Sequence, residues 1–320
     1  MSSAKAKVTA ARISIAMASG LAALKLATGL ATGSMAVLSS AIDSLLDILM
    51  SGVNLFAISR AVQPADKCHP FGHGKYETLA TIIQSMVIAA SGGWIIYESV
   101  QRLIEGPELV HLNQGIIVLV ISAIASWWVS RYLRRVAKET DSSALEADSL
   151  HFSMDVYTNS ALILGLAVIS FVNIPWLDPA LSILVALYIL FEAVRLVRHG
   201  LRDVLDEELP EPIRREITDL IEAHRKILLD YHNLRTRRAG SQKIIDFHLT
   251  VCKHLSVEEA HAIADHLEKR IQEDIPGADV IIHIDPCQQE NCPGMEACPA
   301  DKTRLEDHIL EESQKQKETP

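Results

Sequence analysis

The sequence predicts an all-α bundle of six transmembrane helices followed by a small α+β cytoplasmic domain. Two observations predict this division. Residues 1–200 hold 14 basic and 14 acidic side chains among many Leu, Ile, Val and Ala, whereas the last 120 residues hold 16 and 26 and carry the whole net charge of −10. Those last 120 residues also hold eight of the thirteen histidines. An acidic, histidine-rich domain suits divalent cations and argues against nucleic acid, which requires a basic face.

Six apolar segments are long enough to cross a bilayer, whose hydrocarbon core of about 30 Å needs about 20 apolar residues in a helix. They are 9–31, 35–60, 77–104, 113–135, 145–173 and 177–199. The first resembles a signal peptide, but its apolar run continues to Leu30, so we expect a retained span. Connections free of Lys and Arg alternate with basic ones, which predicts that both termini are cytoplasmic. We therefore expect a multi-pass protein of the inner membrane, with residues 1–205 as its transmembrane domain.

Residues 206–286 predict a second domain with the element order αββαβ. We expect a helix at 211–228, strands at 231–240 and 243–252 around an Ala239-Gly240 turn, a helix at 256–274 and a strand at 278–286. Ser256 and Glu259 form a capping box for the second helix. This order suits a layer of helices on a sheet. Residues 287–320 form a charged tail in which Cys287, Cys292 and Cys298 lack a standard zinc spacing, so reactive thiols and a soft-metal or iron–sulfur site both stay open.

Two pairs of metal-ligand residues lie in apolar segments at helical spacing. Asp43 and Asp47 are one turn apart in the second segment, and His151 and Asp155 are one turn apart in the fifth. Two ionised aspartates in the bilayer cost roughly 5–7 kcal/mol on insertion scales, and this cost must be offset. An ion pair with Lys25 is one explanation, although one lysine cannot neutralise two carboxylates. Three carboxylates and one imidazole suit Zn²⁺ or Fe²⁺, which would neutralise the acids.

This ligand set also predicts exchange of metal for protons. Ligation needs ionised Asp and neutral His, so metal binding expels protons and protonation expels metal. His151 is the expected proton-coupled ligand, because imidazole is the side chain that changes charge near neutral pH.

Two further groups of candidate ligands lie outside the apolar segments. Asp66, His69 and His73 form a D-x-x-H-x-x-x-H pattern in a short loop, which suits either a three-ligand zinc site or solvated histidines. In the second domain, His248 lies on one strand, and His283 and Asp285 share a face of another. His232 and His261 can join them, although each histidine alone reads as an ordinary surface residue.

These motifs give the chain a resemblance to the cation diffusion facilitator family, in its bacterial zinc/iron exporter branch. The resemblance rests on "DSLLD" (43–47), "HFSMD" (151–155), "FGHGK" (71–75) and the histidine-rich domain, and covers about residues 8–286. It implies a homodimeric divalent-metal/proton antiporter with a ferredoxin-like cytoplasmic domain. The implied substrates are Zn²⁺, Fe²⁺ and Cd²⁺, since manganese-selective relatives usually lack the histidine.

The resemblance also assigns roles to individual residues. It implies that Asp43, Asp47, His151 and Asp155 bind the transported ion. The loop residues Asp66, His69 and His73 match a second family site, where Cys68 departs from the usual pattern. The histidines of the cytoplasmic domain match a binuclear metal site of the family, in which Asp285 is the bridging ligand and whose ions either regulate transport or stabilise the dimer. Lys75 and Asp206 match a pair that locks the dimer.

Two other functions use the same residues. A membrane metallohydrolase would use the four ligands to activate water, but the sequence contains no HExxH or nucleophile motif. A catalytic zinc also usually keeps an open position. A membrane metal sensor or scaffold would bind the ion and move nothing. A complete set of membrane ligands favours transport over both.

Overall fold

The computed structural model describes residues 3–32, 35–105, 116–172, 176–225 and 227–288. Inside the helices, the side chains at 32, 35–40, 42–43, 105, 116–119, 162–172 and 177–178 lie outside this description. The chain divides into two compact units, a helical unit (Met1–Leu205) and a sheet unit (Asp206–Pro320).

Within the described ranges, the helical unit contains six long helices. They are α1 (Ser3–Thr32), α2 (Met35–Ala61), α3 (Lys75–Glu105), α4 (Ile116–Thr140), α5 (Ser143–Val172) and α6 (Leu177–Val204). The most extensive packing joins α3 to α6, α1 to α2, and α4 to α5. Each of the six helices lies where the sequence predicts an apolar segment.

The interior of the helical unit contains many small side chains, and its exterior carries large apolar ones. Ala10, Ala57 and Ala144 are at most 5% exposed and pack with Phe152 and Leu133. Small residues let helix backbones approach closely, which drives helix association in lipid. Large apolar side chains face outward on α2, α3, α4 and α6, including Leu49, Met86, Trp94, Ile124 and Phe191. This distribution is the one expected for a bundle surrounded by hydrocarbon.

Four of these helices are apolar enough over a sufficient length to cross a membrane, judged on the described residues. The stretches are Ser3–Ala31, Ser44–Ala61, Lys75–Ile104 and Pro179–Val204. The sequence predicts six spans, and α4 and α5 do not qualify over their described residues. The second half of α4 and the first half of α5 carry several ionisable groups: Arg131, Arg134, Arg135, Lys138, Glu146, Asp148, His151 and Asp155. Membrane crossing by α4 and α5 therefore stays a prediction.

The sheet unit has the predicted αββαβ order. Its elements are α7 (Glu211–Ala223), β1 (Asp230–Ala239), β2 (Gln242–Val251), α8 (Val257–Asp274) and β3 (Ala278–Pro286). The strand order is β1-β2-β3, with β1 antiparallel and β3 parallel to the central β2. The predicted capping box is present, since Ser256 Oγ accepts from the Glu259 N–H and the Glu259 carboxylate accepts from the Ser256 N–H.

Side chains along β2 alternate between the hydrophobic core of the sheet unit and the opposite, open face of the sheet. Phe247 and Leu249 are buried and pack with Ile221 of α7 and Leu267 of α8. Because successive side chains of a strand point to opposite faces, His248 lies on the face away from this core. Alternation thus places His248 on the accessible face of the sheet.

Helix α7 is shorter than predicted. It ends at Ala223 rather than at residue 228, and the His224 N–H bonds to the carbonyl of Ile221 at 3.0 Å. Ile227 and Leu228 are buried in the core, but they belong to the turn leading to β1. The prediction failed here because a short apolar run has the same appearance in a buried turn as in the last turn of a helix.

Candidate metal centres

The first cluster of metal-ligand side chains lies inside the helical unit, between α2 and α5. His151 Nε2 lies 2.9 Å from Asp47 Oδ1. One ligand atom from each of Asp47, His151 and Asp155 lies within 4.8 Å of the other two. The His151 side chain is 6% exposed and that of Asp47 is 20% exposed. Two carboxylates and one imidazole at this spacing can close around a single ion with ligand distances of about 2 Å.

Two other residues bear on this cluster. The backbone of Asp43 belongs to α2 one turn before Asp47, but its side chain lies outside the described part of the structure. Its role as a fourth ligand therefore stays a prediction. Lys25 Nζ donates a hydrogen bond to Ser44 Oγ at 2.8 Å, whereas Asp47 contacts His151. For Asp47, the described contacts thus favour the histidine over the lysine as partner.

The second cluster forms in the loop between α2 and α3. The ligand atoms of Asp66, His69 and His73 lie within 4.8 Å of one another. Asp66 Oδ1 accepts hydrogen bonds from the backbone N–H of Cys68 at 2.8 Å and of His69 at 2.7 Å. The N–H of His69, with that of Cys68 and the two nearby imidazoles, lowers the pKa of the Asp66 carboxyl, so it is ionised and ready to ligate. The positive φ of 79° at Gly72 closes the loop.

The loop geometry leaves Cys68 at the edge of this cluster. Its side chain is exposed and carries a free thiol. Cys68 contacts Asp66 through its backbone N–H, which donates a hydrogen bond to Asp66 Oδ1. His73 is 7% exposed, and its Nδ1 lies 3.2 Å from the carbonyl oxygen of Pro64. This contact fixes the orientation of the ring, so that Nε2 faces Asp66. A histidine held through one ring nitrogen by a carbonyl is the usual arrangement of a metal ligand.

The third cluster lies on the open face of the sheet unit. His232 pairs with His248 across β1 and β2, and His248 pairs with His283 across β2 and β3. The three imidazoles thus form one row across the sheet, with ring centroids 5.0 Å and 4.6 Å apart. A register shift follows His232, where Asn233 has a φ of 54°. This bulge ends the regular pairing just beyond the row.

Asp285 joins this row from the strand position two residues after His283. Its Oδ2 lies 2.8 Å from His248 Nδ1 and 3.4 Å from His232 Nε2, and its Oδ1 lies 3.5 Å from His283 Nε2. The hydrogen bond from His248, with the charges of the neighbouring imidazoles, lowers the pKa of the Asp285 carboxyl. The carboxylate of Asp285 thus contacts all three imidazoles of the row, and its role as a bridging ligand stays a prediction.

The structure does not bring His261 into this cluster within one chain. His261 is an exposed residue of α8, whose buried side chains pack on the core side of the sheet. The predicted participation of His261 therefore stays a prediction.

The predicted interlock joins residues of different units, since Lys75 begins α3 and Asp206 belongs to the sheet unit. Within the sheet unit, Arg237 Nη1 donates to Asp206 Oδ1 at 3.3 Å. The pairing of Lys75 with Asp206 stays a prediction, and Arg237 is a competing partner that was not predicted from the sequence.

Two buried polar features of the helical unit were missed from the sequence. Lys7 Nζ lies 3.0 Å from Glu77 Oε1, and both side chains are at most 4% exposed. Asp148, fully buried one turn before His151, accepts a hydrogen bond from Gln84 Nε2 at 3.1 Å. The available signal was an ionisable residue within or beside an apolar segment, which marks an interior site by default.

Comparison with known protein families defines the class. The family model for the "Cation efflux transmembrane domain" matches residues 11–205, and that for the "Cation efflux protein, cytoplasmic domain" matches residues 209–287. The chain belongs to the cation efflux family, which confirms the resemblance seen in its motifs. It is accordingly a cation efflux transporter of the multi-pass membrane class, not an enzyme.

Individual relatives agree with this assignment. The cation-efflux pump FieF of Salmonella newport (strain SL254) is 37% identical over 278 residues, which are 87% of this chain and 92% of FieF. FieF of Salmonella paratyphi A shows the same identity and coverage. A solved structure of CzrB in its Zn form is 35% identical and covers 27% of this chain and 99% of that one, with a TM-score of 0.25, which is too low to show a shared fold.

Proposed function

We propose that this transporter exports divalent transition-metal cations from the cytoplasm in exchange for protons, by alternating access. The observation that carries the proposal is the cluster of Asp47, His151 and Asp155, whose ligand atoms lie within 4.8 Å of one another. Ionisable residues inside a membrane bundle are costly and mark ion pathways. Because the same three groups bind either metal or protons, a proton gradient can drive release of the metal.

The donor set guides the choice of ion. Imidazole and carboxylate together suit Zn²⁺ and Fe²⁺, with Cd²⁺ as a further candidate, whereas a site of carboxylates alone would suit Mn²⁺ better. Asp43, one turn before Asp47, would complete a four-ligand set. The name of the relatives, cation-efflux pump, supports export but leaves the ion open.

Export requires a particular arrangement in the membrane. We infer six spans with both termini in the cytoplasm, with α4 and α5 as the fourth and fifth crossing helices. Two features support this. His151 and Asp148 on α5 are at most 5% exposed, so their polar groups face the protein and not lipid. The arginines of α4 lie towards its C-terminal end, where long side chains reach the membrane surface.

The two clusters outside the membrane segments suit structural Zn²⁺. We infer that the loop cluster holds one ion, and that the row of His232, His248 and His283 with Asp285 holds two in a ferredoxin-like cytoplasmic domain. Bound cations would offset the excess acidity of that domain and stabilise a homodimer. His261, and the pair of Lys75 with Asp206, would then contribute between protomers or between domains.

The proposal is tested by Zn²⁺ flux into proteoliposomes that carry a pH gradient. We expect gradient-driven flux with the parent chain and its loss with Asp47→Ala and with His151→Ala. The matched control is His199→Ala, which removes an imidazole from α6.

Each alternative has its own outcome in this assay. Flux that persists in both cluster variants contradicts the proposed transport site. Zn²⁺ binding without flux in the parent supports a sensor or scaffold instead. Flux that ignores the pH gradient contradicts proton exchange while leaving metal export in place.

A further inference from the structure

A second polar cluster lies beside the proposed transport site and contains none of its proposed ligands. It consists of five side chains on four helices of the helical unit, Ser14 (α1), Ser51 and Asn54 (α2), Gln84 (α3) and Asp148 (α5), and is called the Asp148 cluster below. All five are buried, with exposures of 0, 1, 1, 3 and 0% in that order. The Asp148 carboxyl bonds to Gln84 and also faces Ser14 and Asn54. Three helices thus direct polar groups at one carboxyl group on a fourth helix.

The hydrogen bonds of this cluster leave three acceptor oxygens unpaired. Asn54 Oδ1, Gln84 Oε1 and Asp148 Oδ2 are buried oxygens without a hydrogen-bond partner. Ser14 Oγ and Ser51 Oγ lie 3.1 Å apart, so one of their two hydroxyl hydrogens is used between them. A buried oxygen without a partner destabilises the protein, and a bound cation would satisfy it.

Hydrogen bonds set the orientations of the two amides. Gln84 Nε2 donates to Asp148 Oδ1 at 3.1 Å, and Asn54 Nδ2 donates to the carbonyl oxygen of Ala144 at 3.2 Å. Turning Asn54 would place its oxygen against the oxygen of Ala144, and turning Gln84 would place its oxygen against the ionised carboxylate of Asp148. Both amide oxygens are thereby held as acceptors. The cluster offers oxygen atoms and one carboxylate, which is the ligand chemistry of a hard divalent cation.

The position of the cluster relates it to the transport site. Asp148 precedes His151 by three residues on α5, a rise of about 4.5 Å, and Ser51 follows Asp47 by four residues on α2, about 6 Å. Both displacements run towards the α2 C-terminus and the α5 N-terminus. In the proposed topology these helix ends face the cytoplasm.

We propose that the Asp148 cluster is a second cation-binding position, in which the exported divalent ion is held by oxygen ligands before it reaches the transport site. The inference rests on the proposed function. Asp148 supplies the charge, the amide oxygens of Asn54 and Gln84 and the serine hydroxyls supply neutral ligands, and water completes the shell. An oxygen site binds such an ion more weakly than the site that contains His151, so the ion moves on to the stronger site.

Labelling by a hydrophobic carbodiimide tests the binding position directly. The reagent modifies buried carboxyl groups, and peptide mass spectrometry of the full chain reads Asp148, Asp47 and Asp155 separately. We expect Zn²⁺ to decrease the labelling of Asp148 in the parent and also in His151→Ala, where the transport site is broken. Protection of Asp148 that disappears in His151→Ala, or labelling that is equal with and without Zn²⁺, overturns the proposal.

Flux measurements give an independent test that does not depend on the reactivity of Asp148. Asp148→Asn keeps the acceptor for Gln84 and removes the charge. We expect it to increase the apparent KM for Zn²⁺ at the cytoplasmic side by about tenfold or more, the size of effect seen when groups around a metal site are removed. The matched control, Glu146→Gln, removes an exposed carboxylate from the same helix and is expected to match the parent.

The outcomes separate this proposal from the proposed function. An unchanged KM in Asp148→Asn overturns the second binding position, while flux that still depends on His151 leaves the transport site intact. If instead Zn²⁺ fails to protect Asp47 and Asp155 in the parent, the transport site fails whatever happens at Asp148. Equal tryptophan fluorescence of Asp148→Asn and the parent shows that a change in KM does not come from misfolding.

Discussion

Removing the charge of Glu77 is expected to destabilise the helical unit strongly. Glu77, in the first turn of α3, contacts Lys7 Nζ through both carboxylate oxygens, at 3.0 and 3.1 Å, and accepts a hydrogen bond from Ser142 Oγ at 2.9 Å. Lys7 is 3% exposed and Glu77 is 0% exposed. Glu77→Gln preserves the shape of the side chain but removes the negative charge that faces the buried ammonium group of Lys7.

The magnitude follows from the burial of both partners. Breaking a buried ion pair by removing one charge costs about 3–5 kcal/mol, whereas an exposed pair contributes about 0–1 kcal/mol. Glu77→Gln retains an acceptor oxygen, so we expect about 3 kcal/mol. Lys7→Met in the same chain removes the buried charge, and the double variant should recover to within about 1 kcal/mol of the parent.

Intrinsic fluorescence is a suitable assay, since all four tryptophans lie in the helical unit. Unfolding of the purified full chain in mixed detergent and SDS micelles would be followed for the parent, the single variant and the double variant. Glu98→Gln is the matched control, because Glu98 and Arg102 form an exposed ion pair on the same helix, with side chains 46% and 51% exposed. A loss for Glu77→Gln no greater than for Glu98→Gln would refute the reasoning, as would a double variant as unstable as the single one.

Three further predictions concern the other elements. His151→Asp replaces the imidazole by a carboxylate, which suits Mn²⁺ better than Zn²⁺, so Mn²⁺ should compete more strongly for flux; unchanged ion competition would contradict this. Gly277→Ala should destabilise the sheet unit by about 1–3 kcal/mol, measured by calorimetry of the full chain. The reason is that Gly277 has a φ of 78° and an added Cβ would lie 2.7 Å from the carbonyl oxygen of Ser241. The control is Gly20→Ala, where an added Cβ meets open space. The hydrogen bond from His248 lowers the pKa of the Asp285 carboxyl in the folded metal-free protein. The ionised carboxylate therefore stabilises the fold above the unfolded aspartate pKa of about 3.9. This stabilisation is lost as the pH falls through the lower pKa of the folded state. Asp285→Asn should therefore flatten the acid side of the stability profile, and an unchanged profile would argue against this contribution.

The amino-acid sequence alone was sufficient for features set by local spacing. Six helices, the αββαβ order and the capping box at Ser256 follow from periodicity and from neighbouring residues, because a helix or strand presents side chains at fixed intervals. The same reasoning put Asp43 with Asp47, and His151 with Asp155, one turn apart. It failed at the end of α7, where burial in the core and helix continuation have the same apolar signature.

Contacts between helices or strands could be identified only from the tertiary structure. Helical spacing does not show that the face of α2 carrying Asp47 meets the face of α5 carrying His151, since each helix can rotate about its own axis. The row of His232, His248 and His283 depends on strand register, and a shift of one residue would move a histidine to the opposite sheet face. The residues of the Asp148 cluster, and Lys7 with Glu77, are brought together by helices far apart in sequence. No sequence pattern relates these residues. The energies of their interactions depend on burial and on the proximity of opposite charges, which exist only after the helices have packed.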